Sequence, residues 1–151
     1  MKNPLDFPIR NRFIKWFVEW ITSLGVLKGW YQDWVEFPVE RRDGSAFLDY
    51  TLGRLGVSLE ITPEQQLENV PESGPVIFLS NHPLGGLDGM LLTKKLLEIR
   101  PDLKVLTNEH LLIFPEFAEL FIGVNVLSDD ARRANSKGIR QLGRHLGDGG
   151  A

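Results

Sequence analysis

Residues 76–89 read V-I-F-L-S-N-H-P-L-G-G-L-D-G. An apolar run, Val76 to Leu79, leads into Asn81 and His82, and Asp88 follows six residues after His82 at the start of the next apolar stretch. A histidine at the end of a strand can serve as a general base, because its pKa lies near neutrality. A carboxylate beside it fixes the ring tautomer and stabilises the imidazolium formed when the ring takes a proton. Pro83, Gly85, Gly86 and Gly89 keep the intervening turn small, so a loop folding back can bring Asp88 against the ring. Asp88 also has a plainer reading, as an acid at the N-terminus of a helix. His110 and His145 lack such a setting and read as helix-surface residues.

Other chemistries are excluded by the residues themselves. Ser80 has no glycine two positions to either side, so it is not the nucleophile elbow of a hydrolase. Neither a G-x-G-x-x-G string nor a Gly-Lys-Ser/Thr phosphate loop is present. Three scattered histidines give no metal site, and with no cysteine there is no disulfide, thiolate ligand or thiol nucleophile.

The elements around this loop follow from pattern. "PVIFLSN" reads as a buried strand and "LDGMLLTKKLLEI" as a helix ended by Pro101. "LKVLTN" and "IGVNVL" read as strands, "EHLLIFPEFAELF" as a helix interrupted at Pro115, and "DARRANSKGIRQLGRHL" as a polar-faced helix. Upstream, "GSAFLDYTLGRL" predicts a short helix stopped at Gly56, followed by a strand at 57–61 and the polar turn region "TPEQQLENVPESGP". Strand and helix alternate, which predicts an α/β fold with a partly parallel sheet flanked by helices. In such sheets ligands bind beyond the carboxyl ends of the strands, which is where His82 falls.

The chain has 151 residues and a net charge of −3. Residues 1–30 carry Lys2, Arg10, Arg12, Lys15 and Lys28 against Asp6 and Glu19, so this end is +3 and the remainder −6. An acidic body argues against a nucleic-acid partner. Phe13, Trp16, Phe17, Trp20, Ile21 and Leu24 recur at helical spacing behind the basic cluster, and Trp30 and Trp34 follow. Residues 1–34 therefore read as an amphipathic segment, with 9–24 lying on an anionic lipid surface or, equally, packed on the core. The longest apolar stretch is cut by Lys15 and Glu19, so no spanning helix is predicted.

The string N-H-P-x-G-G-x-D-G within "GPVIFLSNHPLGGLDGMLL" resembles the first motif block of the glycerolipid acyltransferases, in the branch often labelled haemolysin-like or lyso-ornithine-lipid acyltransferases. The likeness extends over most of residues 45–151, through "RPDLKVLTNEHL" and "ELFIGVNVL". It implies a glycerol-3-phosphate acyltransferase-like fold over residues 35–151. It also implies an O-acyltransferase of membrane lipid biosynthesis, at the cytoplasmic face of the membrane as a peripheral protein. His82 would be the base and Asp88 its orienting acid, with Asn81, Gly85 and Gly86 binding substrate. The acyl donor would be acyl-CoA or acyl carrier protein and the acceptor a lyso-lipid, with no metal and no bound cofactor. Where many relatives carry an arginine for an acceptor phosphate, this chain reads Ile122-Gly123-Val124-Asn125, which favours an ornithine-type or other lyso-lipid. "IFPEFAEL" mimics the family's later Phe-Pro-Glu-Gly block but has Phe117 in place of the glycine.

Two other functional classes use the same residues: a catalytically silent lipid- or acyl-binding module, and a thioester hydrolase in which His82 activates water. The chain stops at Ala151 just after Asp148-Gly149-Gly150, where the alternation expects another strand. The acyltransferase domain is accordingly expected to be incomplete at its C-terminus, with an open strand edge. The 151-residue chain alone is then expected to be inactive and poorly soluble.

Overall fold

The computed structural model describes residues 24–62, 64–81, 83–125 and 131–151. Four helices and two strands are present among them: α1 (Leu24–Trp34), α2 (Gly44–Leu55), α3 (Gly86–Leu97), β1 (Val105–Asn108), β2 (Phe121–Val124) and α4 (Ala131–Gly147). The strands pair in parallel, with Val105 opposite Phe121 and Asn108 opposite Val124. Parallel strands need a crossover of about a dozen residues, and 109–120 supply it. Pro115 lacks the amide a continuous helix requires. The predicted helix at 109–121 is therefore replaced by two 3-10 turns, Glu109–Ile113 and Pro115–Phe117.

Helix α2 begins and ends as its sequence predicts. Asp43 caps it, its carboxylate accepting from the Ala46 amide at 2.8 Å. Gly56 ends it in the left-handed conformation, φ 66°. The first residue, Gly44, is buried so tightly that a Cβ there would lie 3.0 Å from the Glu116 carbonyl oxygen.

An aromatic cluster forms the larger core: Tyr31, Trp34, Phe47, Leu48, Phe117, Leu120 and Phe121. Phe117 stacks on Phe121 with ring centroids 4.2 Å apart, and Trp34 meets Phe47 at 5.2 Å. Trp34 is only 2% exposed, so its ring serves the core and not a headgroup zone. At the floor of this cluster sits a buried carboxylate. Glu116 accepts from the Trp34 indole at 2.8 Å and from the Tyr31 hydroxyl at 3.2 Å. Those two donors satisfy a charge that would otherwise be costly to bury. They also tie α1 to the crossover between β1 and β2.

A second cluster joins Leu96, Leu103 and Ala151, with Val76 and Phe78 packed against it. The predicted strand at 75–81 makes no ladder. Its neighbour is not β1: the Val76 amide donates to the Gly150 carbonyl, and the Lys104 amide to the Ala151 carbonyl at 2.8 Å. Gly150 and Ala151 thus stand between the starts of the two segments. Beyond them Ile77 and Leu79 face solvent, at 63% and 91% exposure. The strand predicted at 57–61 is likewise irregular, with no ladder partner among the described residues.

Two further features fix the layers. Gly138 of α4 lies against β2, where a Cβ would approach the Gly123 carbonyl oxygen to 2.7 Å. Arg100, 1% exposed, pairs with Asp102 and donates to the carbonyls of Pro71 and Gly149. His145, predicted to be a surface residue, is half-buried instead. Its Nε2 lies 2.8 Å from the Ala151 carbonyl oxygen. His110 is exposed, as expected, though on a 3-10 turn.

Candidate active site

The loop from Asn81 to Gly89 is built by glycine geometry and one carboxylate. Pro83–Gly85 form a turn that delivers the chain into α3. Gly85 precedes the helix with φ 67° and ψ −124°, a conformation in which a side chain would be strained. Gly86 is the first helical residue, and Asp88 lies in the first turn. One Asp88 carboxylate oxygen accepts from the Leu84 amide at 2.9 Å and the other from the Gly89 amide at 2.9 Å. The favourable field at a helix N-terminus adds to these bonds.

Asp88 therefore closes the loop upon itself, pinning the backbone two residues beyond His82. This is the capping role that the plainer reading assigned to it, and it also sets a carboxylate beside the loop that carries the histidine. His82 lies outside the described residues, as does the 9–23 part of the N-terminal amphipathic segment. Asn81 and Gly86 are exposed, with Gly85 between the turn and the helix, also exposed.

A second polar group, which spacing along the chain did not single out, gathers at the carboxyl ends of β1 and β2. The Asn125 amide donates to the Asn135 side-chain oxygen at 2.6 Å, and the Asn135 side chain donates to the Asn125 carbonyl at 3.0 Å. The Asn125 side chain donates to Glu109 at 2.7 Å. Glu109 begins the turn after β1, and Asn135 comes from the first half of α4. Only the parallel pairing of β1 with β2 brings these three residues together. A usable hint lay in the sequence: Glu109 and Asn125 each follow an apolar strand, at its carboxyl edge. Among the described residues, no group of three or more His, Asp or Glu is placed to hold a metal ion. No helix among them is long and apolar enough to cross a membrane.

Comparison with known proteins gives this geometry a context. Over 90 residues the chain is 36% identical to the lyso-glycine lipid O-acyltransferase of Phocaeicola vulgatus, a match covering 59% of this chain and 31% of that protein. The chain thus spans about a third of the length of the curated relative it matches. No solved structure gives a significant match. A family model described as acyltransferase matches residues 35–141, a span that holds the Asn81–Gly89 loop, both strands and most of α4. On that match the chain belongs to the acyltransferase family.

Proposed function

We propose that the protein transfers a fatty acyl group from a thioester, on coenzyme A or acyl carrier protein, to the hydroxyl of a lyso-lipid. The observation that carries this reading is the Asp88 carboxylate closing the loop around the Leu84 and Gly89 amides, directly after His82, within the matched acyltransferase span. In the reaction His82 takes the proton of the acceptor hydroxyl while Asp88 orients the ring. The acceptor oxygen attacks the thioester carbonyl, the C–S bond breaks, and the thiol leaves with the proton from the imidazolium. Asn81 and the amides after Gly85 and Gly86 are suited to hold the acyl oxyanion or the acceptor head. The thioester is already activated, so the reading calls on no metal or bound cofactor.

The acceptor is best matched by a lyso amino-acid lipid. Ile122-Gly123-Val124-Asn125 supplies no cation for a phosphate monoester, and the relative's acceptor is a lyso-glycine lipid. A glycerol-3-phosphate acyltransferase-like fold and a peripheral position on the cytoplasmic face of a membrane belong to the same reading.

The test is incubation of the full-length protein with radiolabelled acyl donor, with and without lyso-lipid acceptors. Transfer to an acceptor is expected, and His82→Ala should remove nearly all of it. Asp88→Asn should lower turnover by about two orders of magnitude or more, since it leaves the ring without its orienting charge. Its loop should stay folded, because one carbonyl oxygen remains as an acceptor. Release of free fatty acid in place of transfer would convert the reading to a hydrolase. Activity of His82→Ala close to that of wild type would end it.

A further inference from the structure

Helix α4 reads A-R-R-A-N-S-K-G-I-R-Q-L-G-R-H-L-G and contains no Asp or Glu. Its five Lys and Arg residues sit in a chain whose net charge is −3, so the rest of the chain carries −8. Arg133, Lys137, Arg140 and Arg144 are all exposed. They follow one another at steps of four, three and four, which places them along a single ridge. The opposite side of the helix holds it to the body. There Gly138 meets the Gly123 carbonyl, Asn135 bonds Asn125, and His145 reaches Ala151. Lys137, Arg140 and Arg144 therefore lie on the exposed side of the helix, away from these contacts.

Fold stability does not account for this arrangement. Like charges three and four residues apart repel along a helix, and cations in the first turn oppose the helix dipole. A helix kept only for solubility would mix the two signs. Here Glu or Asp is absent from all seventeen positions. We propose that the ridge Arg133–Lys137–Arg140–Arg144 is the face by which the protein lies on an anionic lipid bilayer.

The shape favours a bilayer over other polyanions. The ridge is straight and convex, about 16 Å long at the rise of an α-helix. Its flanks carry Ser136, Gln141 and Gly143, which offer neither a groove nor an aromatic platform for nucleotide bases. A convex line of cations meets a plane along its whole length. The acidic body between the basic N-terminal stretch and α4 is repelled by the same surface, which turns this face down. Helix α4 begins at the carboxyl ends of β1 and β2, where Asn135 bonds Asn125. Docking on the ridge thus sets that edge of the sheet close to the lipid. The inference rests on the acyl-acceptor reading for its purpose, but its measurement needs no turnover.

Vesicle co-sedimentation tests it, with pure phosphatidylcholine compared with phosphatidylcholine containing one-third phosphatidylglycerol. Wild type should bind the anionic vesicles, weakly or not at all the neutral ones, and less as salt rises. Each cation near such a surface contributes about fivefold in affinity. The triple variant Lys137→Gln/Arg140→Gln/Arg144→Gln should therefore lose about a hundredfold. Its thermal midpoint should hold or rise, because neutralisation relieves repulsion on the helix. Its transfer to a short-chain, monomeric acceptor should match wild type, which separates failure of the ridge from failure of the acyl-transfer reading. Unchanged vesicle binding by the triple variant would overturn the proposal. So would binding that survives in it and disappears on Arg10→Gln/Arg12→Gln/Lys15→Gln, or wild-type binding to an acidic soluble protein with none to vesicles.

Discussion

The Tyr31 hydroxyl lies between burial and a carboxylate, and both keep its proton on. Burial raises its pKa first, the charge of Glu116 and the hydrogen bond to it add to this, and Arg42 pulls the other way; the result is about 12 against an ordinary 10.0. Between those values the unfolded chain has released the proton and the folded chain still holds it. Stability from this group is complete below the ordinary pKa and falls as pH rises through the folded one. Spectrophotometric titration of the two tyrosines should show one late tyrosinate step, lost in Tyr31→Phe together with the steepest part of the alkaline unfolding curve. Persistence of the late step in Tyr31→Phe would refute the assignment. At the same scale, Asp88 holds the loop with the bonds of a cap, accepting from the Leu84 and Gly89 amides.

Elements meet here through glycines as much as through apolar side chains. Gly123 in β2 is pressed on one side by Leu112, whose Cδ1 would lie 2.7 Å from an added Cβ. Its own carbonyl on the other side abuts Gly138 of α4. Helix and strand approach closely only because both positions lack a Cβ. Gly138→Val should therefore cost about 1–3 kcal/mol, as overpacking does, and lower the urea midpoint. Gly143→Ala is the control. It lies on the exposed part of the same helix, with nothing within 4 Å of an added Cβ, and should be neutral or stabilising. Equal midpoints for Gly138→Val and wild type would mean that α4 does not pack on β2 as described.

Across the whole molecule, Arg100 joins parts that are far apart in sequence. Its guanidinium donates to Asp102 at 2.7 and 2.9 Å, to Pro71 before the 75–81 segment, and to Gly149 after α4. The hydrogen bond from Arg100 holds the Asp102 carboxyl below its usual range. A depressed carboxylate pKa contributes stability above the ordinary value and loses it as pH falls through the folded one. Asp102→Asn should accordingly weaken the protein at neutral pH and converge with wild type in acid. Arg100→Met should accelerate amide exchange at 146–151 by about tenfold or more, because it leaves the Pro71 and Gly149 carbonyls without their guanidinium donor. Exchange unchanged there would show that the C-terminal turn is held by other contacts.

Local chemistry was legible without coordinates. The stop of α2 at Gly56, the strand segments β1 and β2 and the N-H-P-x-G-G-x-D-G loop all follow from residue type and short-range spacing, because backbone sterics and side-chain periodicity act over a few residues. The loop also carried the likeness to acyltransferases that the family match then established. Long-range packing was not legible. Nothing near Glu116 says that Trp34 and Tyr31 come to it from more than 80 positions away, so "FPEF" reads as a helix break and Trp34 as the end of an amphipathic segment. The run at 75–81 has a strand's composition, but a ladder depends on which backbone lies beside it, and Gly150 and Ala151 stand there. Sequence alone thus determined what each segment can do chemically. Tertiary structure decided which segments face one another, since burial and ladder pairing are properties of neighbours that the chain brings together only by folding.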